Sequence, residues 1–261
     1  MKSPTVFLTP EQVAFYHENG YLSIPNLMPA EEVEWMRDVY DDLFARRAGR
    51  EVGDQFDLAG TDEEGKEAVL PQILGPAKYA PELRDSQLWI NAAAVVKQLL
   101  GEDAQFGDGH MIFKPARIGA ETPWHQDEAY WDPGLNYTSL SIWVPLQEAT
   151  VENGCMWFVP GSHRQEVLPH QSVGGDVRIH ALELIEADTR SAVACPLPPG
   201  GATFHDSRTL HYTGPNRSNV PRRAYILSGG LPATPRSDGR RFPWNEVKQA
   251  ARQEREKSGQ S

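Results

Sequence analysis

The sequence predicts an α+β chain, with helices in its first part and a jelly-roll barrel or β-sandwich of short strands after them. Three observations predict it. Apolar residues recur at helical spacing up to about residue 101. Beyond that point they come in short runs cut by Gly, Pro and Asn-Gly, the punctuation of turns between strands. Helices that precede a run of strands, instead of alternating with them, pack outside one sheet.

Each element follows in order. Thr9-Pro10-Glu11-Gln12 offers an N-cap, a proline at the first helical position and a capping-box partner, and Gly20 stops that helix. "YLSIP" is a brief strand. A second helix starts near Pro29, with Val33, Met36, Tyr40 and Leu43 on one face and acids in its first turn. Residues 49–80 are rich in Gly, Asp and Glu and read as an irregular excursion. "NAAAVVKQLLG" is a third helix, with Asn91 as cap and Gly101 as stop. Strands are then predicted within "AQFGDGHMIFKP", "YTSLSIWVPLQEA", "GCMWFVPGSH", "SAVACPLPPGGATFHD" and "RRAYILSGG". Asn153-Gly154 signals a hairpin and "PPGG" a further turn.

The 261 residues thus suit one domain over 1–234, helical through 1–101 and strand-rich over 102–234, followed by a polar C-terminal tail at 235–261. A formal net charge of −11 argues against nucleic acid and anionic membranes as partners, because both demand clustered Lys and Arg. No run reaches the roughly 18 apolar residues of a membrane span, and the N-terminus lacks a signal-peptide core. Cys155 and Cys195 make neither a disulfide framework nor a C-x-x-C site, which fits a reducing cytoplasm.

The chemistry centres on "TPWHQDEAYW", residues 122–131. On a strand, residues i and i+2 share a face, so His125 and Asp127 can grip one ion. Two histidines and a carboxylate form the facial set that binds non-haem Fe(II) with coordination positions left open. An H-x-D pair alone is a weak signal among eight histidines and thirty-six acids. Candidates for the third ligand are His110, on a strand before the pair, and His205 or His211, which flank "FHDSRTLHYTGPN". Periodicity does not choose between them. His17 sits on the first helix, and His163, His170 and His180 fall in a polar connection where surface positions are expected.

Taken together, "WHQD", "WVPL", "NGCMWFVPGSH", "PPGGATFHDSRTLHYTGPNRS" and "PRRAYIL" resemble the phytanoyl-CoA dioxygenase family of Fe(II)/2-oxoglutarate oxygenases. The likeness runs from "LTPEQVAFYHENGYLSIPNLM" to about residue 230. It implies a double-stranded β-helix, a cupin-like jelly-roll core with the N-terminal helices packed outside. It also implies an enzyme that takes a small molecule and molecular oxygen and releases succinate and carbon dioxide. Carried over by position, His125, Asp127 and His211 hold the iron and form the catalytic centre, and His205 is a supporting residue. Where the family commonly has glycine and serine after the distal histidine, this chain has Tyr212 and Thr213. The threonine keeps a hydroxyl for a carboxylate, and the tyrosine is expected to narrow the pocket.

The far carboxylate of 2-oxoglutarate needs a cation, and arginine's planar fork suits it. Consecutive Arg222 and Arg223 have opposite parity on a strand, so one faces inward; the family's position, eleven residues after the distal histidine, is Arg222. Gln126 and Trp143 match family positions at the oxoacid site, and His110 and Gln72 fall near two others. Trp124, Tyr130, Trp131 and Trp157 are candidates for the substrate wall, with ordinary core packing as the competing explanation. The excursions at 49–80 and 164–190 are long enough to act as lids. Hydroxylation of a small organic molecule is the reading; desaturation, cyclisation or epimerisation at the same iron, or a non-catalytic cupin-like protein that binds metal or sugar, are the alternatives.

Overall fold

The computed structural model describes residues 2–61, 67–118 and 120–248. Two antiparallel sheets face each other. The larger has seven strands: β1 (Tyr21–Ile24), β2 (Gln55–Asp57), β3 (Pro71–Leu74), β4 (Gln105–Lys114), β6 (Ser139–Pro145), β9 (Ala202–Asp206) and β11 (Arg222–Gly230). Their spatial order is β1-β9-β6-β11-β4-β3-β2. The smaller has four, β5 (Thr122–His125), β7 (Met156–Phe158), β8 (Val193–Cys195) and β10 (His211–Thr213), in the order β8-β7-β10-β5. This is the jelly-roll α+β architecture, with the three long helices of the N-terminal part on the outside of the larger sheet.

Parity along each strand makes the two faces. On β11, Tyr225 and Leu227 point to the helices, while Ala224 and Ile226 point between the sheets. On β6, Ile142 and Val144 take the helix side and Trp143 the inner side. Helices α1 (Pro10–Asn19), α2 (Ala30–Ala45) and α3 (Gln87–Leu100) bury Tyr16, then Met36, Tyr40 and Leu43, then Leu88, Val95 and Val96 against the outer face. A period of two meeting a period of 3.6 is what lets one strand serve a core and a cavity at once.

The local signals act where the sequence places them at α1. Thr9 and Gln12 form the reciprocal capping box, and Gly20 ends the helix in the left-handed conformation at φ 77°. The third helix starts earlier than the apolar run suggests. Ser86 is its cap, accepting from the Trp89 amide, and Asn91 lies inside the helix, where its amide bonds Thr5 and the Leu27 carbonyl. Asn153-Gly154 does not close a hairpin: β6 and β7 belong to different sheets, and the turn carries the chain across. Gly154 is obligatory there, since a Cβ would strike the Gly214 carbonyl.

Two further departures concern boundaries. The excursion at 49–80 contributes β2 and β3 and so widens the larger sheet; its residues 62–66 lie outside the described residues. The segment after residue 234 is docked as far as it is described. Phe242 is buried and stacks on Trp244, Arg240 pairs with buried Glu128 at 2.7 Å, and residues 243–248 are helical. Residues 249–261 of the expected tail lie outside the described residues. Among the described residues, no helix is long and apolar enough to cross a membrane.

Candidate active site

A cavity of about 440 Å³ opens between the sheets, and His125, Asp127 and His211 gather at one end of it. β5 carries His125 and pairs with β10, which sets His125 directly opposite His211. Asp127 opens the short 3-10 turn Asp127–Tyr130 that follows β5. Ligand atoms of the three residues all lie within 4.8 Å of one another. From Asp127 Oδ1 it is 3.7 Å to His125 Nε2 and 3.5 Å to His211 Nε2.

The imidazoles are oriented by their backs. His125 Nδ1 lies 2.8 Å from the Pro123 carbonyl and His211 Nδ1 lies 2.8 Å from that of Thr209. A carbonyl can only accept, so each Nδ1 carries a proton and Nε2 is the nitrogen that each ring turns to the other ligands. Burial, followed by the neighbouring His211, holds the His125 imidazole well below its ordinary pKa, which keeps it neutral. Burial pushes the Asp127 carboxyl up, but His211 and His205 outweigh it and hold it well below the usual carboxylate range. Two imidazole nitrogens and one carboxylate oxygen on one side of a cavity are a donor set for Fe(II).

His205 does not join that set. It sits on β9, 2% exposed, with Nε2 3.3 Å from the other oxygen of Asp127 and neither ring nitrogen hydrogen-bonded. Burial and then His211 draw its pKa down to about 4. Ser141, on the adjacent strand, donates to the same Oδ2 at 2.6 Å. Sequence reasoning passed over Ser141, although it shares parity with Trp143 two residues on.

At the far side Arg222 is 1% exposed and lines the cavity, its guanidinium carbon 5.3 Å from the Trp143 ring centre. Its Nε and Nη1 have no hydrogen-bond partner, and neither has the buried Thr213 Oγ1 in the same wall. Burial lowers the Arg222 pKa only to about 10, so it is cationic at neutral pH. Orphaned donors of this kind are costly unless a ligand satisfies them, and a carboxylate is the group that fits a cation with a hydroxyl beside it. Lys114, paired in register with Arg222, is spent on the Thr213 and Gly214 carbonyls at 3.2 and 2.7 Å.

The other predicted residues divide. Trp143, Thr213, His110 and Gln72 line the cavity, as do Tyr130 and Trp131. Gln126 does not. Lying between the two ligands it points the other way, and its amide binds the Leu168 N–H and the Arg208 carbonyl, each at 2.8 Å. Trp124 and Trp157 are likewise absent from the wall. Trp124 stacks on Tyr212 at 5.3 Å, and Tyr212 lies opposite Trp157 in the sheet, so the three share its outer face. Tyr212 therefore leaves the pocket open, and its hydroxyl donates to Glu121. Phe56 and Leu58, which the irregular reading of 49–80 hid, are part of the wall.

The polar connection at 164–190 is a strap over this mouth. His170, read as a surface residue, is 3% exposed: its Nε2 accepts from the Gln126 amide and its Nδ1 donates to the Leu168 carbonyl. Leu182 N–H donates to the Tyr130 hydroxyl, and Ala181 N–H donates to the Leu58 carbonyl at 2.9 Å. The His180 ring lies 4.5 Å from that of Phe56, so the two excursions meet across the opening.

The family model described as Phytanoyl-CoA dioxygenase (PhyH) matches residues 16–224. A Stutzerimonas stutzeri protein named "Probable alpha-ketoglutarate-dependent hypophosphite dioxygenase" is 29% identical over 227 residues, covering 84% of this chain and 77% of its own. The crystal structure of EvdO2 from Micromonospora carbonacea var. aurantiaca is 42% identical with a TM-score of 0.81, covering 93% of this chain and 99% of that one. EvdO2 is also known complexed with 2-oxoglutarate. The non-heme alpha ketoglutarate dependent carbocyclase SnoK from nogalamycin biosynthesis is 26% identical with a TM-score of 0.68, over 91% of this chain and 92% of its own.

Proposed function

Because this chain belongs to the phytanoyl-CoA dioxygenase family, a family of Fe(II)- and 2-oxoglutarate-dependent oxygenases, we propose that it hydroxylates a small organic molecule at a centre formed by His125, Asp127 and His211. Bound iron, with 2-oxoglutarate and dioxygen, supplies the oxidising power: the oxoacid loses carbon dioxide to become succinate, and the second oxygen atom goes to the substrate.

The chain's own residues bind and orient. The two imidazoles and Asp127 Oδ1 hold the metal. The observation that carries the oxoacid site is the buried, unpartnered Arg222 guanidinium with Thr213 beside the same cavity. It receives the far carboxylate, and Trp143 packs against its plane. A merely metal-binding or sugar-binding cupin has no use for such a cation, which favours the enzyme over the binding module.

The substrate reaches the centre between Phe56, Leu58, Tyr130 and Trp131. Apart from Asp127 and Arg222, no Asp, Glu, Lys or Arg lines the described cavity. The reacting part of the substrate is therefore uncharged, since a buried charge without a counter-charge is expensive. The strap and the Phe56–His180 contact cover part of the mouth. The likeness to a carbocyclase supports a second outcome, ring closure without oxygen transfer, at the same residues. Anaerobic addition of Fe(II) and then 2-oxoglutarate should produce a metal-to-ligand charge-transfer band. A substrate screen read by succinate release and product mass then separates hydroxylation, a gain of one oxygen atom, from cyclisation, a loss of two hydrogens; failure to form the band removes the proposal.

A further inference from the structure

Asp127 has two oxygens in different surroundings. Oδ1 faces the Nε2 atoms of His125 and His211, whereas Oδ2 receives the Ser141 hydroxyl at 2.6 Å and has His205 Nε2 at 3.3 Å. Ser141 and His205 stand directly opposite each other on β6 and β9, in the sheet that faces the ligands. Resting on the metal-site reading above, we infer that Ser141 and His205 are positioning residues that reserve Asp127 Oδ2, so that this carboxylate gives the metal one oxygen only.

Three observations carry this. The Ser141 contact has the length of a charge-assisted O–H···O⁻ bond and occupies one of the two lone pairs of Oδ2, so an ion bound there would compete with it. His205 is buried with no hydrogen-bond partner for either nitrogen, and Asp127 Oδ2 is the anionic oxygen within its reach. The turn carrying Asp127 is fixed from behind as well: Glu128 N–H donates to the Ser207 carbonyl, and Trp244 Nε1 and Asn245 Nδ2 both donate to the Ala129 carbonyl. Those bonds fix the backbone of the turn, so Asp127 can present its oxygens differently only by rotating its side chain.

A carboxylate held to one oxygen would leave more of a bound ion's surroundings free for the oxoacid and the oxidant than one bound through both.

The test uses the full chain and Mn(II), a divalent ion stable in air. Ser141→Ala removes only a hydroxyl oxygen, and Ser141→Ala/His205→Leu removes both partners of Oδ2. In Mn(II)-loaded crystals, wild-type Asp127 should bind through Oδ1 alone, and the double variant through both oxygens. Mn(II) affinity, titrated by electron paramagnetic resonance, should fall about tenfold in the double variant, as for other losses behind a metal ligand. His205→Gln, which keeps a donor at that position, should stay close to wild type. One-oxygen binding retained in the double variant overturns the proposal whatever its affinity. Should the double variant not fold, Ser141→Ala carries the test: unchanged affinity with one-oxygen binding overturns it equally. Wild-type protein that takes up no Mn(II) at His125, Asp127 and His211 removes the metal-site reading itself, a result distinct from any change of coordination among the variants.

Discussion

Arg222 and Arg223 are consecutive on β11 and serve opposite faces of one sheet. Arg222 is sealed between the sheets with Nε and Nη1 unpartnered, while Arg223 turns outward and grips Asp41 of α2 through two bonds of 2.6 and 2.8 Å. One strand period separates a ligand-binding cation from a structural one.

Arg222→Ala should therefore lower 2-oxoglutarate affinity by at least tenfold while the metal is retained. Removing one member of a buried charge-assisted pair costs on the order of 2–5 kcal/mol. Arg223→Ala loses only a partly exposed ion pair, worth at most about 1 kcal/mol of stability. Isothermal titration with Mn(II)-loaded protein measures both; equal losses for the two arginines would contradict the assignment.

His211→Ala should abolish stoichiometric metal binding, because one nitrogen of the donor set is gone. His205→Gln should keep one metal per chain. Elemental analysis after dialysis reads this directly. Metal lost with His205 and kept without His211 would exchange the two roles.

His170 makes the strap sensitive to acid. Burial brings its pKa from 6.5 down to about 4. The unfolded chain thus takes up the proton first as pH falls, so this contribution is complete above pH 6.5 and is lost toward pH 4. A protonated ring also has no lone pair for the Gln126 amide. The stability gap between wild type and His170→Phe, from urea melts at pH 7.5, 6 and 5, should narrow steadily with acidity. A gap that stays constant across that range would show that His170 is not the titrating group.

Asp127 should also keep chloride out of the product. Its negative charge disfavours a second anion at the metal. Once a substrate is found, mass spectrometry after turnover in chloride should show no chlorinated product; finding one would sink the role given to Asp127.

Much of this was legible in the chain because it is local or periodic. The Thr9–Gln12 box, the Gly20 stop and the strand alternation that separates Arg222 from Arg223 need nothing beyond near neighbours. Position along the resembling motifs placed His211 beside His125, where periodicity alone left three candidates. What was hidden is tertiary. Gln126 matched a family position by number, yet it stands between two ligands and alternation turns it to the strap. Trp124 and Trp157 are aromatic, as a substrate wall would be, but sit on the outer face of their sheet. β2 and β3 are only three and four residues long and lack alternation, so it is pairing of β3 with β4, and of β2 with β3, that makes them strands. His170 looked solvated because the Gln126 amide that meets its Nε2 lies more than forty residues away.

The docking of residues 236–248 redraws the limits of the working unit. Composition changes at about residue 234, and a chain cut there would keep every ligand and every strand of both sheets. It would lose Trp244 and Asn245 from the Ala129 carbonyl, Arg240 from Glu128, and the Lys248 bond to the His180 carbonyl at the mouth. Such a truncated protein should fold and yet hold Asp127 slackly. The inventory of parts would be complete, and the tolerance to which they are assembled would be gone.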